Sequence, residues 1–117
     1  MQEYSNEQIE TLGLQIGCVV RLERLKKKIS QEKLGLLIGS NNTQIGRIER
    51  YETATSWKNL FKICQYLEID FQNLFVLKNT TAIFEIIKEC RSLEDKLTNE
   101  KEQYYINLEA KLKKLKS

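Results

Sequence analysis

Apolar residues recur at helical spacing along nearly the whole chain. Ile9, Leu12, Ile16 and Val20, with Val19, lie three and four apart and predict a first helix from about Asn6 or Thr11 to Lys27. Ser5-Asn6-Glu7-Gln8 offers a capping box for the earlier start. Ser30 then caps a second helix, Gln31 to Ile38, with Leu34, Leu37 and Ile38 apolar, and Gly39 supplies the left-handed residue that ends it. Asn41 stands three residues before Gln44, so the pair can satisfy two free N–H groups reciprocally. The third helix, Asn42 to about Arg50, turns Ile45 and Ile48 inward. After the loop Tyr51-Glu52-Thr53-Ala54-Thr55, Ser56 caps a fourth helix with Leu60, Ile63, Cys64 and Leu67 on its inner face. Asp70 caps a short fifth helix carrying Phe71, Leu74 and Phe75. Trp57, just after its cap, is expected to pack against the C-terminal extension.

The pattern changes between Thr81 and Lys116. Ile86, Cys90, Leu93, Leu97, Lys101, Tyr105, Leu108, Leu112 and Leu115 form a heptad-like seam with one four-residue stutter, and Lys101 sits at the fault. A single long helix in a coiled coil is favoured over a hairpin broken near Thr98-Asn99. The expected architecture is therefore all-α. Residues 1–11 extend helix one, residues 12–77 form a five-helix domain, and residues 78–117 form a helical segment that pairs two chains. The dimerisation residues on this reading are Ile86, Cys90, Leu93, Leu97, Tyr105, Leu108, Leu112 and Leu115, with Tyr104 and Tyr105 serving the seam.

Composition supports helices: the 117 residues include no proline and five glycines, so nothing resembles a flexible linker. No apolar run approaches the ~18–20 residues needed to cross a bilayer, and the polar, acidic N-terminus does not resemble a signal peptide, so a cytoplasmic protein is expected. The three cysteines form no close pair and the chain has no histidine. Zinc-site spacing and Cys–His catalysis are both unsupported, no nucleotide-binding glycine loop is present, and neither an enzyme nor a cofactor is expected. Cys18, Cys64 and Cys90 read as small buried apolar residues. The net charge of +3 adds little: residues 1–77 hold ten Lys/Arg against nine Asp/Glu, and residues 78–117 hold nine against seven. Placement of the charges has to carry any electrostatic argument. Lys26-Lys27-Lys28 read as a solvated helix end.

Two short helices across a tight glycine turn make a helix-turn-helix, whose second helix can enter the DNA major groove. The outward positions of that helix are Asn41, Asn42, Thr43, Gln44 and Arg47. Asn and Gln amides match adenine, Arg matches guanine, and Thr offers a hydroxyl and a methyl. Asn42 to Arg47 contains no acidic residue, unlike the Lys/Glu-rich surfaces elsewhere.

The segment Ser30 to Arg50 resembles the Cro/C1 (XRE) helix-turn-helix family. Ser30, Gln31, Leu34, Gly39, Ile45, Ile48 and Glu49 meet its pattern without gaps, and about 65 residues follow it. The resemblance implies a lambda-repressor-like five-helix domain, with Asn41, Asn42, Thr43, Gln44 and Arg47 facing DNA bases. It also implies phosphate contacts at Ser30 and Gln31, to which Arg50 and Tyr51 are added, and an ion pair between Arg24 and Glu49 that pins helix one to the reading helix. Three departures stand out: Gly35 replaces the usual alanine, Ser40 a buried valine, and Tyr51 the glycine after the reading helix. The implied function is a transcriptional regulator, more often a repressor, binding an inverted-repeat operator in double-stranded DNA as a homodimer. Two alternatives are an antitoxin whose C-terminal segment binds a toxin protein, and a protein-interaction adaptor that no longer binds DNA.

Overall fold

The computed structural model describes residues 3–52 and 56–115; the last three residues of the expected loop (53–55) and Lys116, at the end of the expected C-terminal helix, lie outside the described residues. Among the described residues there are seven helices and no strand: α1 (Asn6–Lys26), α2 (Gln31–Leu37), α3 (Asn42–Glu49), α4 (Trp57–Leu67), α5 (Phe71–Leu74), α6 (Thr80–Leu93) and α7 (Asn99–Leu115). Each of the first six starts where a short polar side chain accepts a first-turn N–H. Ser5, Ser30, Asn41, Ser56, Asp70 and Asn79 take this role, replacing bonds that the helix itself cannot supply. Ser5 and Gln8 complete the reciprocal capping box, and α1 takes the earlier of its two expected starts. For α3 only one half of the expected pair forms: Asn41 accepts from the Gln44 N–H at 2.9 Å. Gly39, at φ 73°, ends the α2 turn in the left-handed conformation.

Helices α1–α5 enclose one core, built on Val20, Leu34, Ile38, Ile45, Ile48, Leu60, Ile63, Cys64, Leu67 and Leu74. Gln15 of α1, fully buried, stitches the end of α5 to the start of α6. Its amide donates to the carbonyls of Leu74 and Val76, and its oxygen accepts from the Lys78 N–H at 2.8 Å.

The C-terminal segment is helical as its periodicity requires, but it folds as two helices rather than one. α6 stops at Leu93, Glu94 is extended (φ −66°, ψ 127°), and α7 begins at Asn99 with the Thr98 hydroxyl accepting from the Lys101 N–H. A continuous helix from Ala82 to Leu115 would run about 51 Å, whereas the longest dimension of the molecule is 38 Å. The reason is burial. A straight helix could lay only one end of its stripe on α1, while the hairpin lays both there, so Ile83, Ile87, Cys90, Tyr105, Leu108 and Leu112 close a second core with Leu14, Cys18 and Leu22. The seam expected to join two chains is thus largely consumed within one. Cys90, Tyr105, Leu108 and Leu112 are buried, Ile86 and Leu115 pack against the same core, and Leu93 and Leu97, flanking the turn, stay exposed. Trp57 does not pack on this hairpin; it is 67% exposed.

Helix α1 therefore carries two apolar faces, and the hairpin covers one of them. Cutting the chain after Lys78 would return Leu14, Cys18 and Leu22 to water, at roughly 1.5–3 kcal/mol for each leucine, against a total domain stability of about 5–15 kcal/mol. Thermal unfolding of the 1–78 fragment should show a midpoint lowered by roughly 10 °C or more, or no cooperative transition. A midpoint within a few degrees of the full chain would mean that the hairpin is not integral.

Candidate nucleic-acid interface

Helix α3 is held by Ile45 and Ile48, both buried, which turn its opposite face outward. Asn42, Thr43 and Arg47 are exposed on that face. Asn41 is exposed too, but its side-chain oxygen is occupied by the helix cap, and Gln44 is half-buried. Of the five residues expected to read bases, three thus present unencumbered side chains together. Beneath them α2 approaches closely. A Cβ added at Gly35 would lie 2.6–2.9 Å from the Asn41 backbone, which explains glycine at the position where alanine is usual.

The other end of α3 is anchored electrostatically. Glu49 is 1% exposed and accepts from three side chains. Arg24 reaches it through Nε (2.6 Å to Oε2) and Nη2 (3.2 Å to Oε1), Arg21 through Nη1 (3.1 Å to Oε1), and Gln31 through Nε2 (3.1 Å to Oε1). Gly17 lets α1 come this near, since a Cβ there would stand 2.6 Å from the Glu49 carbonyl oxygen.

The network continues into the hairpin. Arg21 Nη2 donates to Glu94 Oε2 at 2.8 Å, Arg21 Nε to the Tyr105 hydroxyl at 2.9 Å, and that hydroxyl donates to Glu94. Tyr104 donates its hydroxyl to the main-chain oxygen of Glu49 at 3.2 Å, and its ring lies 4.5 Å from the Arg21 guanidinium. Two guanidinium groups and two carboxylates balance within one buried cluster, with Lys101 at its edge, 3.3 Å from Glu94. Burial opposes charge on Glu94, yet the hydrogen bonds from Tyr105 and Arg21 outweigh it and hold its carboxyl below the usual range. Burial likewise pushes the Tyr104 and Tyr105 hydroxyls above theirs, so both remain donors at neutral pH.

The roles of Arg21, Glu94 and Tyr104 in this cluster are not apparent from the helix-turn-helix pattern. One signal does exist: Gly13, Gly17 and Arg21 are spaced four apart on α1, a line of close approach ending in a charge.

Ser30, Gln31 and Arg50, named for phosphate contact, line one cleft of about 980 Å³ together with Lys28 and Lys101. Their side chains are already engaged. Ser30 caps α2, Gln31 holds Glu49, and Arg50 pairs with Glu52 at 2.6 Å. Tyr51 adopts the left-handed conformation (φ 52°) that a glycine would take there, and its ring fills the space over Gly13. It is a packing residue on α1 before it is anything else. The three cysteines are buried and free. Burial pushes the thiols of Cys18 and Cys64 up to about 12 and about 11, and that of Cys90 well above its usual value, so none is poised as a nucleophile.

A short helix packed across a second one, with a polar acid-free outer face, defines a helix-turn-helix DNA-binding domain. The helix-turn-helix family model matches residues 20–74, from the middle of α1 to the end of α5. Over those residues the match supports a helix-turn-helix of the Cro/C1 (XRE) type. Comparison with curated proteins and with solved structures gives no significant match. No helix among the described residues is long and apolar enough to cross a membrane.

Because the Glu94 carboxyl is depressed in the folded state, its contribution is complete above the ordinary glutamate value of 4.5 and is lost as pH falls through the lower folded value. Urea unfolding should find Glu94→Gln about 1–3 kcal/mol less stable than the parent at pH 7, with the gap narrowing in acid below that ordinary value. A gap independent of pH would show that Glu94 is not ionised in the cluster.

Proposed function

We propose that this protein is a sequence-specific transcriptional regulator that reads the major groove of double-stranded DNA with helix α3. The observation that carries the reading is the outer face of that helix. Asn42, Thr43 and Arg47 stand exposed and side by side, while Ile45, Ile48 and the buried Glu49 fix the opposite face. An amide, a hydroxyl with a methyl, and a guanidinium are the groups that distinguish base edges. Asn41 and Gln44 extend the same edge, and Ser30, Gln31 and Arg50 would meet phosphates by exchanging their present partners, with Lys28 beside them in the cleft. Repression by occlusion of a promoter would need such binding alone and no catalytic group. The natural target of two copies is an inverted repeat with half-sites about 34 Å apart. With most of the C-terminal seam buried within each chain, surfaces other than that seam would join the copies.

Selection of duplexes from a random pool tests the reading directly. A defined, two-fold symmetric sequence is expected, and a pool that never converges would favour a protein-interaction role. Arg47→Ala or Asn42→Ala should cost about 1–3 kcal/mol on the selected duplex with little loss on random DNA. Equal losses on both would make these residues phosphate anchors.

A further inference from the structure

The Arg24–Glu49 ion pair ties the reading helix to α1, yet the same glutamate is also held from the far end of the chain. Arg21 bridges Glu49 (3.1 Å) to Glu94 (2.8 Å), and Tyr104 donates to the Glu49 main-chain oxygen (3.2 Å). That oxygen belongs to the last residue of α3, where carbonyls have no partner inside the helix. Glu94 and Tyr104 lie on either side of the α6–α7 turn, so one hairpin reaches both the side chain and the backbone of the helix end.

We propose that the α6–α7 hairpin is a positioning element of the DNA interface: Glu94, Tyr104 and Tyr105 fix Arg21 and the C-terminal end of α3, and so set the angle at which Asn42, Thr43 and Arg47 meet base edges. This rests on the reading of α3 as the DNA-reading helix. Charge explains why the hairpin matters to α3 and not only to α1. Without Glu94, the guanidinium groups of Arg21 and Arg24, neither more than 9% exposed, share one carboxylate. Arg21 and Glu94 line the adjoining cleft, so an Arg21 left without Glu94 would turn toward the water there and release Glu49 Oε1. Geometry explains the consequence. Helix α3 has eight residues, about 12 Å, so a tilt at its C-terminal end moves Asn42 at the other by a comparable arc. Bidentate base contacts tolerate only tenths of an ångström. The coupling must also run backwards: DNA that selects the pinned orientation stabilises the docked hairpin.

The test uses the full chain, a duplex selected from a random pool, and a scrambled duplex of equal length. Tyr104→Phe removes only the hydroxyl that holds the α3 carbonyl, and Glu94→Gln only the charge that balances Arg21. Both variants are measured where circular dichroism shows them folded. Each should lose about 5–10-fold in affinity for the selected duplex and less than about 2-fold for the scrambled one. In the parent, hydrogen exchange of the α7 amides should slow more with the selected duplex than with the scrambled one, and Tyr104→Phe should abolish that difference. Variants that keep the parent's selectivity, or α7 protection that is the same with both duplexes, would reduce the hairpin to a scaffold while leaving the α3 reading intact. A parent chain that selects no sequence would overturn both.

Discussion

A carboxylate removed from water is tolerable only where donors surround it, and Glu49 satisfies that condition at the junction of three elements. Arg24 and Arg21 approach from α1, Gln31 from the start of α2, and the Tyr104 hydroxyl from α7 takes the adjoining main-chain oxygen. Removing one partner from such a cluster typically costs about 3–5 kcal/mol, because the remaining charge is stranded. The cost is what gives the cluster its directing power. An apolar contact such as Ile45 or Ile48 tolerates small rotations, whereas a bidentate Arg–carboxylate pair accepts one orientation. The outward face of α3 is set by where its inner end must sit.

The same constraint accounts for the layout of the rest of the chain. Helix α1 is a partition with a core on either side and a line of close approach between them. Gly13 admits the Tyr51 ring, Gly17 admits the end of α3, and Arg21 and Arg24 follow at the level of Glu49. The hairpin breaks at Glu94, the residue that turns inward to meet Arg21. Covering the second face of α1 and neutralising the second arginine are thus accomplished by one fold of the chain. Buried apolar area supplies most of the attraction, and the polar cluster supplies register.

The helix-turn-helix half was legible in the sequence because local rules and tertiary packing agree there. Ser30, Gly39, Asn41, Ser56 and Asp70 mark boundaries through backbone chemistry that needs no partner, and Ile45 and Ile48 at helical spacing fix which side of α3 faces out. The C-terminal half was legible as helix but not as hairpin. Its stripe of Cys90, Tyr105, Leu108 and Leu112 would serve equally against a second copy or against α1, since periodicity reports a buried face without naming what covers it. A second stripe on α1 itself, Leu14, Cys18 and Leu22, held the answer, and reading only the Ile16–Val20 face hid it. Glu94 and Tyr104 were illegible for a different reason: polar residues at a turn look solvated until tertiary structure brings an arginine to them. Tyr51 shows the converse, a departure from the usual glycine whose left-handed backbone persists because the ring finds the space above Gly13.

The buried glutamate at the end of α3 is energetically shared with α1, and a double-mutant cycle on unfolding free energy measures that coupling. Arg24→Ala, Glu49→Ala and the double variant, measured by urea denaturation beside the parent, should give a coupling energy of about 1–3 kcal/mol. The double variant would then be less destabilised than the sum of the two single ones. Strict additivity would contradict this coupling, because Arg24 and Glu49 would then act on stability independently of each other.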